Sequence, residues 1–215
     1  MGTTDRRERE KLELRTKILD AARELFAAEG YEAVTMRKIA ERIEYSPTAI
    51  YAHFKDKNAL ILELCQSDFL AFAQAFAGFL AVDDPLERLR RAGSAYVEFA
   101  IENPQHYRLM FMTARPPLEG GDTSQASDPA RNAYAFLRST VSDAVDKGLF
   151  RRELTDVDLI AQTIWAALHG TVALQITAYC AKDKWMAWTP LEARRAFMSD
   201  VVLRGLLRKP PAKPG

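Results

Sequence analysis

Only three residues, Glu44, Tyr45 and Ser46, separate two short segments, Met36 to Ile43 and Pro47 to His53, in which apolar residues recur at helical spacing. Helices this short are unstable alone and must be held by neighbours. Ile39, Ala40, Ile43 and Ile50 are spaced to pack the pair together, and the small Ala40 permits a close crossing. At about 100° per residue the face opposite Ile50 then carries Thr48, Tyr51, Ala52 and Lys55. A short helix anchored from behind, with hydroxyls, a methyl and a cation in front, has the shape of an element offered to a DNA major groove.

The rest of the chain keeps the helical period. No stretch alternates with period two for long, so an all-α fold is expected. Its punctuation divides it into about nine helices. A first helix, striped by Ile18, Ala22, Leu25 and Phe26, ends at Gly30, and Thr35, Ser46 and Asp56 are placed to cap the next three, the last reaching about Leu80. Pro85 opens a helix to Glu102, Asn103-Pro104 one to about Thr113, and Asp128-Pro129 one that ends near Gly148. Thr155-x-x-Asp158 and Thr189-x-x-Glu192 are capping-box patterns for the last two, about Asp156 to Ala181 and Pro190 to Leu207. The segment RPPLEGGDTSQASD, Arg115 to Asp128, has no apolar period and reads as a mobile connector. Residues 209–215 read as a disordered tail.

Composition narrows the function by exclusion. Lys plus Arg is 30 against 29 for Asp plus Glu, so any basic footprint must be local. Residues 35 to 57 hold five basic side chains against three acidic ones, a modest positive patch. The arm carrying Arg6, Arg7, Arg9 and Lys11 is interrupted by Asp5, Glu8 and Glu10 and reads as a solvated helix start. Cys65 and Cys180 lie in apolar helical runs without ligand spacing, so they are expected as buried thiols, with no disulfide and no structural zinc. The longest uncharged apolar run, Phe69 to Val82, falls short of the roughly 20 residues of a membrane span, and no apolar leader follows the charged N-terminus. A cytoplasmic protein with no membrane partner is expected. There is no Glu-x-x-His pair, no G-x-S-x-G and no glycine-rich phosphate loop, and His53, His106 and His169 are far apart. No catalysis, cofactor or metal site is therefore expected; an all-helical enzyme or cofactor-binding protein is the alternative.

Lys57 adds a separate argument. A cation in the first turn of a helix opposes the macrodipole, so it is expected to face an anion. The helix starts at Asp56-Lys57-Asn58 and Thr35-Met36-Arg37 also present free N–H groups suited to phosphate.

TMRKIAERIEYSPTAIYAHFKDKNAL resembles the DNA-binding domain of the TetR family of bacterial transcriptional regulators, with Thr35, Ile39-Ala40, Ser46, Ile50-Tyr51, Phe54, Lys57 and Leu60 in register. The resemblance covers roughly the first 60 residues, and Glu44 departs from it where the family often has glycine. It implies that Thr35, Tyr51 and Lys57 hold phosphates while Arg37, Pro47, Thr48 and Ala49 approach bases, with Ser46 in the same surface. His53, on the flank nearer Ile50, is open to DNA contact and to core packing alike. Trp165 to Gly170, WAALHG, resembles the W-x-x-x-H-G signature of one C-terminal class of the family.

The resemblance divides the chain into a three-helix helix-turn-helix domain, 1–58, and a helical ligand-binding and dimerisation domain, 59–208. It implies an unknown small-molecule effector held among the later helices, where Phe72, Phe76, Tyr96, Phe99, Met110 and Tyr134 would favour a lipophilic or aromatic compound. Trp165 and His169 share a helix face, as a packed pair or as a pocket wall with one polar handle. Gly170 inside a helix suggests close approach of another helix. The last two helices carry apolar residues on more than one face, one for the subunit core and one for a homodimer interface. A ligand-responsive repressor binding a pseudo-palindromic double-stranded DNA operator as a dimer is the expected function.

Overall fold

Helix follows the apolar period along the chain in the computed structural model, which describes residues 3–114, 127–179 and 187–208. The helices are α1 (Thr3–Glu29), α2 (Met36–Arg42), α3 (Pro47–Tyr51), α4 (Lys57–Ala77), α5 (Pro85–Glu102), α6 (Pro104–Phe111), α7 (Ala133–Asp146), α8 (Val157–Leu174) and α9 (Leu191–Leu206). A 3-10 turn, Gly78–Ala81, follows α4, and a π turn, Gln175–Tyr179, follows α8. Among the described residues there is no sheet, only an isolated bridge between Phe150 and Leu207.

The chain forms two compact units, Met1–Phe69 with Asn103–Asp122, and Leu70–Glu102 with Thr123–Gly215. Compactness therefore does not divide the chain at Asn58: the first half of α4 and the whole of α6 belong with the N-terminal helices. In the first unit Ile18, Ala22 and Phe26 of α1, Ile39 and Ala40 of α2, Ile50 of α3 and Leu60 and Leu64 of α4 are all fully buried, joined by Leu109 from α6. Burying a side chain of this size stabilises by about 1.5–3 kcal/mol, which is how helices as short as α2 and α3 persist. Gly30 ends α1 at φ +81, a left-handed residue suited to glycine. Asp68 of α4, 1% exposed, accepts from Arg23 Nε at 3.3 Å and Nη2 at 3.1 Å and from His106 Nδ1 at 3.0 Å, tying α1, α4 and α6 together.

The second unit packs α5, α7, α8 and α9 with the end of α4. Arg88, 7% exposed, fixes the start of α5: Nε and Nη2 donate to the Val82 carbonyl at 3.1 and 2.8 Å, and Nη1 pairs with Asp143 of α7 at 2.6 Å. Backbone bonds from Arg151 N to the Leu206 carbonyl and from Arg208 N to the Leu149 carbonyl, both 2.9 Å, secure the end of α9.

Three expected helix starts are displaced, each for a local reason. Asp128 closes a turn instead of opening α7, its carboxylate accepting from Ala130 N at 2.9 Å; Asn132 is the cap, accepting from Tyr134 N at 2.9 Å and Ala135 N at 3.0 Å. Asp156 caps α8 in place of Thr155, accepting from Leu159 N at 2.9 Å. The Thr189 capping box does not form: Pro190 occupies the cap position, Glu192 pairs with Arg195, and the Thr189 carbonyl takes Arg194 Nε at 3.1 Å. Cys65 is fully buried as expected, whereas Cys180 and nearly all of the 115–128 connector lie outside the described residues, with the 209–215 tail.

Helix α4 with its 3-10 turn, and α8 with part of its π turn, are long and apolar enough to match a membrane span by length and composition. Their apolar residues have a nearer explanation. Leu60, Ile61 and Leu64 face the first core, and Ile160, Ile164, Leu168 and Val172 are buried along α8.

Candidate nucleic-acid interface and effector region

The α2–α3 pair is fixed from behind and open in front. Ile39, Ala40 and Ile50 are fully buried, the Ala40 carbonyl accepts from Tyr45 N at 3.0 Å, and both helices are capped: Thr35 Oγ1 accepts from Lys38 N at 3.2 Å and Ser46 Oγ from Ala49 N at 3.3 Å. Each such cap contributes about 1 kcal/mol. The turn between them passes through Glu44 at φ +60, the one non-glycine residue in the left-handed region among the described residues. That conformation accounts physically for the family's glycine there.

In front, Pro47, Thr48, Ala52 and Lys55 are exposed and Tyr51 is 54% exposed. Thr35, Ser46 and Arg37 share that exposure, while Ala49 is half-buried with its N–H committed to the Ser46 cap. Tyr45, which periodicity did not single out, stands 43% exposed in the turn. The local cations are mostly paired: Arg37 with Glu41 at 2.8 Å, Lys38 with Glu29 at 2.6 Å and Arg42 with Glu24 at 3.0 Å. Exposed pairs of this kind contribute about 0–1 kcal/mol, so a phosphate can compete for these cations.

Lys57 has partners within the chain as well as the start of a helix to oppose. Its ammonium donates to the carbonyls of Tyr31 at 2.9 Å and Val34 at 3.1 Å and lies 4.0 Å from the Tyr31 ring centroid. It is thus stabilised within the chain despite the macrodipole, and no external anion is required to explain its position. His53 is half-buried, and its Nδ1 has no hydrogen-bond partner among the described residues. Burial, reinforced by the cations Arg15 and Lys11, pushes its pKa down, so its imidazole is neutral at physiological pH. A neutral, half-buried imidazole beside the cations of α1 is poorly suited to a charged phosphate contact. The residue responsible is Arg15, missed in the sequence: it donates to the His53 carbonyl at 3.2 Å, pairs with Glu63 and lies 4.4 Å over the Phe54 ring.

In the second unit most of the expected effector residues converge. Phe72 meets Phe76 at 4.9 Å, Phe99 at 5.0 Å and Tyr96 at 5.3 Å, and Phe76 meets Phe136, a further member, at 5.7 Å. Trp165 Nε1 donates to Tyr96 Oη at 3.2 Å, and its ring lies 6.2 Å from that of Tyr134. Tyr134 donates to Asp158 at 2.8 Å and accepts from Gln162 at 3.2 Å, and burial raises its pKa. Phe72, Phe76 and Tyr96 are at most 5% exposed, so these rings fill the space they line. His169 is half-buried on α8, and burial pushes its pKa down. Met110 does not join this group: it is a buried residue of α6, in the first unit.

A small cleft of about 30 Å³ opens elsewhere in the unit, among Leu89, Gly93, Ile164, Leu168, Met198 and Val202. Among the described residues nothing crowds Gly170, since a Cβ there would meet no atom within 4 Å. The outer faces of α8 and α9 expose Leu159 (61%), Leu174 (49%), Phe197 (72%) and Val201 (51%).

Comparison with known proteins agrees with this architecture. Residues 18–64 match the family described as bacterial regulatory proteins, tetR family, and residues 89–188 match the tetracyclin repressor-like C-terminal domain. The transcriptional activator FasR of Mycolicibacterium smegmatis is 35% identical over 162 residues, 73% of this chain and 72% of that protein. The transcriptional repressor NicS of Pseudomonas putida is 25% identical over 208 residues, 90% and 92% of the two chains. Among solved structures, AibR in complex with isovaleryl coenzyme A and operator DNA superposes with a TM-score of 0.67 at 21% identity, over 87% of this chain and 96% of that one. The chain belongs to the TetR family of helix-turn-helix transcriptional regulators.

Proposed function

We propose that this regulator works as a homodimeric repressor that binds a pseudo-palindromic operator through α3 and leaves it when a lipophilic effector enters the second unit. The observation that carries the DNA side is the asymmetry of α3: Ile50 fully buried behind it, Thr48 and Tyr51 exposed in front. Thr48 and Pro47 then approach base edges, as does Arg37 of α2, while Tyr51 and Thr35 hold phosphates. Ser46 and Ala49 shape the same surface as the cap and its partner.

The apolar residues left exposed on α8 and α9 support the dimer, because large exposed Leu, Phe and Val side chains on two neighbouring helices are what an interaction surface offers. Two-fold symmetry would set the paired recognition helices roughly 34 Å apart, one turn of DNA. For the effector, the ring cluster around Phe72, Tyr96 and Trp165 favours an apolar body; of the compound named with AibR, the isovaleryl group alone is of that kind, its coenzyme A part being polyanionic. Those rings are packed together here, so the effector must part them. It would act by favouring a state in which they are separated and the operator is released.

The test is binding of the purified protein to duplexes from its own upstream region at two salt concentrations. Tight sequence-dependent binding that weakens steeply with salt supports the reading; absence of salt-dependent binding to those duplexes and to a randomised pool overturns it.

A further inference from the structure

We infer that Arg15 of α1 is a positioning residue for operator binding: it fixes the trailing end of α3, and Glu63 of α4 orients it to do so. This rests on the reading above that α3 enters the DNA. A helix as short as α3 has almost nothing of its own to hold its last turn. Ser46 caps its leading end, and Ile50 is its one buried residue. Beyond Tyr51 the chain turns back, His53 N and Phe54 N donating to the Ile50 carbonyl at 2.9 and 3.0 Å. The His53 carbonyl is met from another helix, since Arg15 Nη1 donates to it at 3.2 Å.

The rest of the guanidinium is fixed as well. Nε donates to Glu63 Oε1 at 3.1 Å and Nη2 donates to Oε2, a two-point pair that sets the plane of the group. Its face lies 4.4 Å from the centroid of the Phe54 ring, and Phe54 is 3% exposed. One turn from Arg15 and Glu63 on their own helices, Ile18 and Leu60 are fully buried in the shared core. The trailing end of α3 is thus referred to two long helices that cannot easily move apart. These contacts exist before DNA arrives, so the cost of ordering that end falls on folding and not on binding.

Arg15→Met keeps the aliphatic stem and removes the fork. On the duplex that the wild-type protein binds most tightly among its upstream fragments and a randomised pool, this variant should bind about tenfold more weakly. Glu63→Gln gives the sharper contrast, because it separates positioning from charge by sign. If Arg15 served only as a surface cation, removing the acid beside it would strengthen binding to DNA. Loss of the partner that orients Arg15 should instead weaken binding, by about threefold. The second measurement needs no DNA: amide hydrogen exchange over residues 52 to 55 of the free protein should accelerate about fivefold or more in Arg15→Met, while the amides of Leu64 and Cys65 keep their wild-type rates. Stronger or unchanged binding by Glu63→Gln, unchanged exchange over 52 to 55, or acceleration shared equally by Leu64 and Cys65 overturns the inference and leaves the regulator reading intact. Absence of salt-dependent duplex binding by the wild-type protein defeats the regulator reading, and this inference with it.

Discussion

Replacing Asp68 by Asn should cost the first unit about 3 kcal/mol, although it changes one atom and leaves no cavity. The carboxylate is 1% exposed and is the meeting point of three helices: Arg23 of α1 donates twice, and His106 of α6 once. A carboxylate oxygen only accepts, so His106 Nδ1 carries the hydrogen of that bond. Removing the negative charge leaves the Arg23 guanidinium, whose side chain is 12% exposed, without its buried counter-ion. Breaking a buried pair in this way costs about 3–5 kcal/mol. Asp20, itself 63% exposed, still pairs with Arg23 at 2.9 Å, which places the expected loss at the lower end. Against a domain stability of about 5–15 kcal/mol such a loss is readily measured.

The assay is urea unfolding followed by two probes. The first unit contains no tryptophan, whereas Trp165 and Trp188 lie in the second, so fluorescence reports the second unit and far-UV circular dichroism reports both. Asp68→Asn should lower the dichroism midpoint by the equivalent of about 3 kcal/mol. The double replacement Arg23→Met with Asp68→Leu should recover most of that loss, because an apolar pair carries no desolvated charge. The single variants Arg23→Met and Asp68→Leu close a cycle with this double replacement, and its coupling energy isolates the pair. A loss under about 1 kcal/mol for Asp68→Asn would show that the charge is not a keystone, and the electrostatic reasoning would fail.

Three further outcomes are expected. Glu44→Gly should stabilise by about 0.5–1 kcal/mol in the same urea assay, since relief of a left-handed residue, about 1–2 kcal/mol, exceeds the chain-entropy cost of glycine; a net loss would contradict the strain at φ +60. Phe197→Glu should turn the proposed dimer into a folded monomer by sedimentation at micromolar concentration, and an unchanged dimer mass would remove α9 from the proposed interface. Burial holds the pKa of both His53 and His169 down, so the folded state binds protons less readily than the unfolded chain. Stability from these groups is therefore complete above the unfolded value of about 6.5 and declines as pH falls below it toward their lowered folded values. Replacing both by Gln should flatten the stability profile between about pH 5.5 and 7, and a profile as steep as wild type would refute the assignment.

The helical period and the punctuation were legible because they are local. A buried stripe at Ile18, Ala22 and Phe26, a cap at Ser46 or a stop at Gly30 depends on residues within a turn or two of one another. The displaced starts at Asn132, Asp156 and Leu191 mark where that logic becomes ambiguous: several oxygen-bearing residues stand near each helix start, and which one caps is decided by competing partners. Asp158 illustrates this, since it turns to Tyr134 and Arg138 and not back to the α8 cap. The exposed face of α3 was legible for the same reason, because Ile50 alone settles which face of a five-residue helix is hidden.

Partners distant in sequence could not be read, and they reversed the meaning of individual residues. Periodicity states that a residue is buried but not what it is buried against. Arg15 is 38 residues from His53, Arg23 is 45 from Asp68, and Lys57 is 26 from Tyr31. Lys57 shows the consequence most clearly, because the macrodipole argument is sound for an isolated helix and asks only for a compensating negative potential. A phosphate satisfies that demand, and so do two carbonyl oxygens and the face of a tyrosine. Gly170 poses the matching ambiguity at a surface: a glycine within a helix can reflect crowding from the same chain or from another copy. The open space beyond its Cα excludes the first for the described residues. With Leu159 and Leu174 exposed on the same helix, the close approach that the glycine permits would be that of a second subunit in the proposed dimer, so Gly170→Trp should weaken self-association in sedimentation, and an unchanged mass would refute this.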